Sequence, residues 1–252
     1  MRPTPAHYRR LKPFLDLFAT GLPILTYHKL GPRPRRARLK GLYLGTKLFA
    51  AQVTELQAAG YRTQSLDAVL QPPVGSRRDI VLTFDDGFQN ALQYAVEPLR
   101  RCGFRAIQFL VADRLGALND WEMAEGEVPE RLMDEAQVRE WLAAGHEIGS
   151  HSLTHPWLTR ISAVQAREEI AASKRRLEDR FGVPVRHFCY PYGDENEAIG
   201  GMVRAAGYVT ACTTQSGVNT PAVAPHQLRR FTARYRTRRL RGLIAWLRRQ
   251  WG

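Results

Sequence analysis

Residues 79–87, Asp-Ile-Val-Leu-Thr-Phe-Asp-Asp-Gly, restrict the possible folds more than any other stretch of this chain. Ile80, Val81 and Leu82 form an unbroken β-branched and apolar run with no helical period, the pattern of a strand buried on both faces. The run ends in two adjacent carboxylates, Asp85 and Asp86, and then Gly87. Neighbouring carboxylates at the end of a buried strand raise each other's pKa, and both lose water. A bound cation is the simplest compensation, because hard and borderline metals take carboxylate oxygen readily. Gly87 lets the backbone leave the strand sharply. The plain alternative is an Asp-Asp-Gly turn at the surface.

Strand-like and helix-like segments alternate on both sides of this stretch. Strands are expected at 23–28, 80–84, 106–111, 147–151, 185–190, 208–213 and 228–231. Helices are expected at 46–59 with Thr46 as N-cap, and at 90–102, 134–144, 162–181 and 196–206. This order predicts βαβ units and a mainly parallel sheet, either a closed barrel or an open doubly wound sheet. Neither a G-x-G-x-x-G nor a G-x-x-x-x-G-K-[ST] motif occurs, so no nucleotide phosphate cradle is indicated.

At 252 residues, with 44% hydrophobic and 24% charged residues, the composition is that of a globular domain. The apolar run after the basic start is broken by Asp16 and Pro23 and has no small-x-small cleavage site, so it reads as a short amphipathic helix (Leu11, Phe14, Leu15, Phe18). The expected compartment is therefore the cytoplasm, with a peripheral position at the inner membrane face as the alternative that the basic tail leaves open. Three distant cysteines without C-x-x-C read as reduced core thiols.

The net charge of +13 is uneven: residues 1–47 carry +10 and residues 229–252 carry +9, which leaves the body at −6. Basic flanks of this kind point to a phosphate-bearing partner, either an anionic membrane surface or a phosphate-bearing lipid carrier; the plain alternative is solvated tails that bind nothing in particular. No recognisable nucleic-acid motif accompanies them, so no specific nucleic acid is expected. In the tail, Leu240, Leu243, Ile244, Leu247 and Trp251 share one helical face, with arginines off it. That pattern fits a helix lying on an anionic membrane or one packed on the body. Unchanged sedimentation with anionic vesicles after deletion of residues 236–252 would exclude the membrane reading.

Two further groups follow strand ends. His151 and His155 lie on one face if residues 151–155 make a helical turn, and with Asp86 they form a two-His-one-carboxylate set with positions left for water and substrate. Two surface histidines are the plain alternative. Pro191 and Gly193 force an irregular turn after the strand ending at Tyr190, where parallel α/β folds place their sites.

The series T-F-D-D-G, H-S-x-x-H and Y-P-Y-G, with Tyr27-His28 and residues 145–151 (GHEIGSH) as context, resembles the polysaccharide deacetylase family, the NodB-homology or carbohydrate esterase 4 group. The resemblance spans roughly residues 22–232. It sets apart a basic N-terminal extension (1–21) and a basic amphipathic C-terminal helix (233–252). It implies an α/β fold, a distorted (β/α)7-type barrel of mainly parallel strands. It implies a divalent metal, usually Zn2+, held by Asp86, His151 and His155, and hydrolysis of an N-acyl group from an amino sugar or glycan. Asp85 would be the general base and the Tyr192 backbone N–H would hold the oxyanion. Pro191, Tyr190 and Trp121 would line the substrate.

The chain departs from the family pattern at three places. The arginine expected two residues before Pro191, which orients the base, is Cys189. The expected Leu-x-His is Leu228-Arg229-Arg230, which leaves His28 as the general acid favoured slightly over a solvent-derived proton, with His226 as another candidate. The Asp and downstream Trp expected around 210–220 are absent. These losses keep two other readings open: a metal-dependent hydrolase of a small non-sugar amide or formyl group, and a degenerate barrel that binds glycan without turning it over.

Overall fold

The computed structural model describes residues 5–71, 78–123 and 126–234. Apart from Ala233 and Arg234, the expected C-terminal helix lies outside the described residues. Among the described residues ten strands occur, several of them separated by helices: β1 (Ile24–Tyr27), β2 (Lys29–Leu30), β3 (Tyr43–Leu44), β4 (Arg62–Thr63), β5 (Asp79–Phe84), β6 (Ile107–Leu110), β7 (Glu147–Ser150), β8 (His187–Cys189), β9 (Thr210–Cys212) and β10 (Phe231–Thr232). The helices are α1 (Leu15–Phe18), α2 (Thr46–Ala58), α3 (Gln89–Cys102), α4 (Glu135–Ala143), α5 (Ala163–Phe181) and α6 (Glu197–Ala205). Local chemistry sets the helix ends. Asp134 and Ser162 form capping boxes with Gln137 and Gln165, and Gly103 and Gly182 end α3 and α5 in the left-handed conformation. Gly45, not Thr46, is the N-cap of α2.

The main sheet runs β10-β1-β5-β6-β7-β8-β9, and every pair in it is parallel. Beyond β9 the chain returns past Leu228, which bridges Cys212, and continues directly into β10 beside β1. Seven strands therefore curl into a barrel whose seam is a single bridge, in line with the expected distorted (β/α)7 form. The last strand is displaced from 228–231 to Phe231–Thr232, because residues 225–230 bond to β9 and its extension before the chain reaches β1.

Period-two alternation fills the barrel interior with Ile24, Val81, Ile107, Phe109, Cys189, Cys212 and Leu228. Alternate residues such as Leu25 and Leu82 join the larger core under the helices. The same alternation builds inward columns that climb from apolar to polar: Ile24, Thr26, His28; Val81, Thr83, Asp85; and Leu228, Arg230. Cys102, Cys189 and Cys212 are free thiols. Residues of the expected N-terminal extension belong to the core, where Tyr8, Phe14 and Phe18 cluster with Phe231, and Tyr8 bridges Ala233. The amphipathic reading holds for Leu11, Phe14 and Phe18, whereas Leu15 is exposed. No helix among the described residues is long and apolar enough to cross a membrane.

Candidate active site

The polar tops of the inward columns meet at the C-terminal ends of the strands. Asp85, Asp86, His151 and His155 are all buried. Asp86 Oδ1 stands 3.3 Å from His151 Nε2 and 3.3 Å from His155 Nε2. Ligand atoms about 2.0–2.1 Å from one tetrahedral ion stand about 3.3 Å apart, so these separations suit a shared cation such as zinc. The His151 Nδ1 lies 2.6 Å from the Cys189 carbonyl. A carbonyl only accepts, so Nδ1 carries the proton and the Nε2 lone pair is left for a metal. The three residues can therefore hold a divalent cation.

A second trio, Asp85, His151 and Cys189, is also close together. It is a poorer candidate. Burial pushes the Cys189 thiol up to about 11, and both Asp85 oxygens are already engaged.

The engaging group is Arg230. Its Nη1 donates to Asp85 Oδ1 at 2.7 Å and its Nη2 donates to Asp85 Oδ2 at 2.8 Å. Its remaining donors reach Thr26 Oγ1, Thr83 Oγ1, the Thr213 carbonyl and Cys189 Sγ. The orienting arginine that Cys189 cannot supply thus comes from the opposite side of the barrel seam, and Cys189 packs against it. The position read as a lost histidine holds the guanidinium that grips Asp85. Burial alone would raise the Asp85 carboxyl, but Arg230, and after it His28, hold it below the usual carboxylate range.

His28 Nε2 lies 3.7 Å from Asp85 Oδ2. Burial lowers its pKa against the opposing pull of Asp85 and Asp86. His226, the other candidate acid, has its Nε2 2.9 Å from the Tyr208 carbonyl and does not line the cavity.

Residues 151–155 do not make the expected helical turn. Ser152 and His155 are left-handed, with φ of 68° and 67°. Ser152 Oγ accepts the His155 N–H at 3.0 Å, and these two reversals aim both imidazoles at Asp86. Glu169 of α5 holds the turn: its Oε2 accepts the N–H groups of Leu153 and Thr154, and its Oε1 accepts the Thr154 hydroxyl. Sequence reading gave no sign of Glu169, because it acts across the fold from an ordinary helix position.

Among the described residues, the non-glycine positions with positive φ are Asp86, Ser152, His155 and Tyr192. All four belong to this site, where backbone strain in folded proteins commonly gathers.

The cavity over the site has a volume of about 330 Å³, and its walls include His28, Tyr190, Tyr192, Leu39, Glu122 and Arg234. Tyr190 donates its hydroxyl to the His226 carbonyl. Pro191 is buried and opens the turn that carries Tyr192, whose ring stacks on Trp157 at 4.1 Å. Trp121 stacks on His155 at 4.4 Å, supporting a ligand rather than lining the cavity. Glu127 joins the two wall loops, its Oε2 accepting the N–H groups of Arg38 and Leu39 at 2.8 and 2.6 Å.

The parallel α/β barrel thus gathers, at the C-terminal ends of its strands, three residues that could hold a metal ion and a separate clamped carboxylate. Residues 73–211, more than half of the chain, match the family model described as polysaccharide deacetylase, and the chain belongs to that family. His28 and Arg230 both fall outside the matched segment.

The chain is 26% identical over 200 residues to YxkH of Bacillus subtilis (strain 168), named for the same family; the match covers 78% of this chain and 65% of YxkH. It is 22% identical over 219 residues to the peptidoglycan-N-acetylglucosamine deacetylase PgdA of Listeria monocytogenes, covering 80% of this chain and 42% of that protein. The chain thus spans less than two thirds of either relative. Among solved structures, IcaB from Ammonifex degensii shares the fold with a TM-score of 0.73 at 22% identity, covering 90% of this chain and 97% of IcaB. The Streptococcus pyogenes deacetylase PplD gives 0.73 at 21% identity, covering 85% of this chain and 92% of PplD.

Proposed function

We propose that the chain hydrolyses the N-acyl group, an acetyl group in the simplest case, of an amino sugar in a glycan or lipid-linked sugar. The carrying observation is that Asp85 and Asp86, adjacent in sequence, have opposite surroundings: Arg230 grips the first, and two imidazoles face the second. Asp86, His151 and His155 would hold a divalent cation, which when bound would supply Lewis acidity towards the acyl carbonyl and the attacking water.

The remaining work falls to the protein's own groups. Asp85, ionised and fixed by Arg230, accepts the proton of the attacking water. The backbone N–H of Tyr192 donates to the oxygen on which negative charge develops. His28, beside Asp85, passes that proton to the departing nitrogen. The C–O bond to water forms and the C–N bond breaks, so that the products leave as a carboxylic acid and an amine, or after proton exchange as a carboxylate and an ammonium ion. The names of the relatives support a glycan, N-acetylglucosamine in the case of PgdA. The buried donors and the strained backbone favour turnover over glycan binding alone.

Amine release from a panel of N-acetylated glycans, lipid-linked amino sugars and small formamides, with zinc and then with chelator, tests the reading. Release is expected from the sugars, lost with chelator, and lost by about a thousandfold or more in Asp85→Asn with metal retained. Release in Asp85→Asn at the wild-type rate would refute the assignment of the base.

A further inference from the structure

We propose that Arg234, with the basic loop at residues 31–42, forms a subsite for a phosphate group, so that the substrate is an N-acyl amino sugar carrying a phosphate ester. The inference rests on the deacetylase reading of the same cavity and narrows its substrate class.

Arg234 follows β10 and lines the cavity that also holds Asp85, Asp86, His151 and His155. Its surroundings are the reverse of those of Arg230. Its Nε is buried without a hydrogen-bond partner, and it has no ion pair among the described residues. Its side-chain partner is the His7 ring, whose Nδ1 is also buried without a partner. Burial disfavours the Arg234 charge, and no carboxylate offsets it. Arg234 is half-buried, and its enclosed Nε has no acceptor, so an anion entering the cavity would complete its hydrogen bonding.

The wall around Arg234 is shaped to keep it in place. A Cβ on Gly41 would stand 2.8 Å from Arg234 Nη1, so the guanidinium lies directly against the Gly41 backbone. Gly41, Leu39 and Leu42 bring the basic loop to the cavity wall. That loop carries five exposed cations between Arg33 and Lys40, none in an ion pair among the described residues.

Arginine's planar fork matches phosphate oxygens, and several unneutralised cations nearby suit a dianion better than a single carboxylate. A cavity of about 330 Å³ has room for one sugar with its phosphate.

The test is equilibrium binding to the zinc-loaded full chain carrying Asp85→Asn, which prevents turnover. The probes are N-acetylglucosamine, N-acetylglucosamine 1-phosphate, N-acetylglucosamine linked to farnesyl diphosphate, and inorganic phosphate. Both phosphorylated sugars should bind at least about tenfold more tightly than the plain sugar, and inorganic phosphate should compete with them. Adding Arg234→Gln should reduce the preference to about twofold or less, while Arg234→Lys and Gly41→Ala should keep part of it; melting curves identify any variant that fails to fold.

Equal binding of sugar and sugar phosphate would overturn the proposal. So would a preference, in either the soluble or the lipid-linked probe, that survives Arg234→Gln. If the preference follows Arg234 but the wild-type chain releases amine from none of the sugars, the phosphate subsite stands and the deacetylase reading falls.

Discussion

Asp85 and Asp86 are chain neighbours with opposite surroundings, from which the proposed division of roles follows. Asp86 has a left-handed backbone, with φ of 73°, and faces two imidazoles, whereas Asp85 ends an inward column and is clamped by a fork of two hydrogen bonds. Arg230→Lys keeps the charge but cannot form the fork. It should lower kcat/KM by about ten- to a hundredfold and stability by about 1–3 kcal/mol, read by amine release and urea unfolding. Wild-type kinetics in this variant would show that Asp85 needs no orienting group.

His146 gives a second prediction at this scale. Its ring packs on Trp141 at 4.3 Å, both nitrogens lack partners, and burial, followed by the charge of Arg105, pushes its pKa down to about 4. The folded ring stays neutral while the unfolded ring takes up a proton below its ordinary 6.5. Its contribution to stability is therefore complete above about pH 6.5 and falls as the pH drops towards 4. The unfolding free energy should fall between pH 7 and pH 5, by about 2 kcal/mol less in His146→Leu than in the wild type. An unchanged difference would refute this.

The paired acids and the two histidines could be read from sequence because each is a short local pattern. Arg230 could not. Its meaning depends on which side of the seam residues 228–230 occupy, and Cys189 at the expected position read as a loss when the guanidinium had moved across the barrel.

At the scale of elements, the turn at residues 151–155 shows how a helix can serve a distant ligand. H-x-x-x-H reads as a helical turn because one turn brings residues i and i+4 together. The chain reaches the same convergence with two left-handed residues, fixed by the Ser152 hydroxyl and the Glu169 carboxylate. Such a turn carries no periodic signature, whereas α5, which supplies Glu169, shows its length, its capping Ser162 and its terminal Gly182 in the sequence. Glu169→Ala removes three hydrogen bonds from the turn that carries His155. Zinc affinity should fall by about ten- to a hundredfold with the fold retained, measured by competition with a chromogenic chelator. An unchanged affinity would mean that the turn holds its shape without α5.

Across the whole molecule, the alternating strands and helices already implied a parallel sheet, and the family resemblance supplied closure into a barrel. The seam lay beyond that reading. A single Cys212–Leu228 bridge joins β9 to the chain that becomes β10, and residues 8–18 pack their aromatic side chains beside that last strand. The closure is part of the site, because the strand that completes the barrel carries Arg230 to Asp85 and leads on to Arg234. Both basic flanks of the sequence therefore reach the cavity: the first through the loop at residues 31–42, the second through the end of β10.

The most direct measurement is X-ray diffraction from zinc-loaded crystals at the zinc absorption edge. One anomalous peak is expected, about 2.0–2.2 Å from Asp86 and from the Nε2 atoms of His151 and His155, with Asp85 still held by Arg230. A peak on Asp85 and Cys189, or imidazoles of His151 and His155 turned away from Asp86, would contradict the division of labour between the two carboxylates.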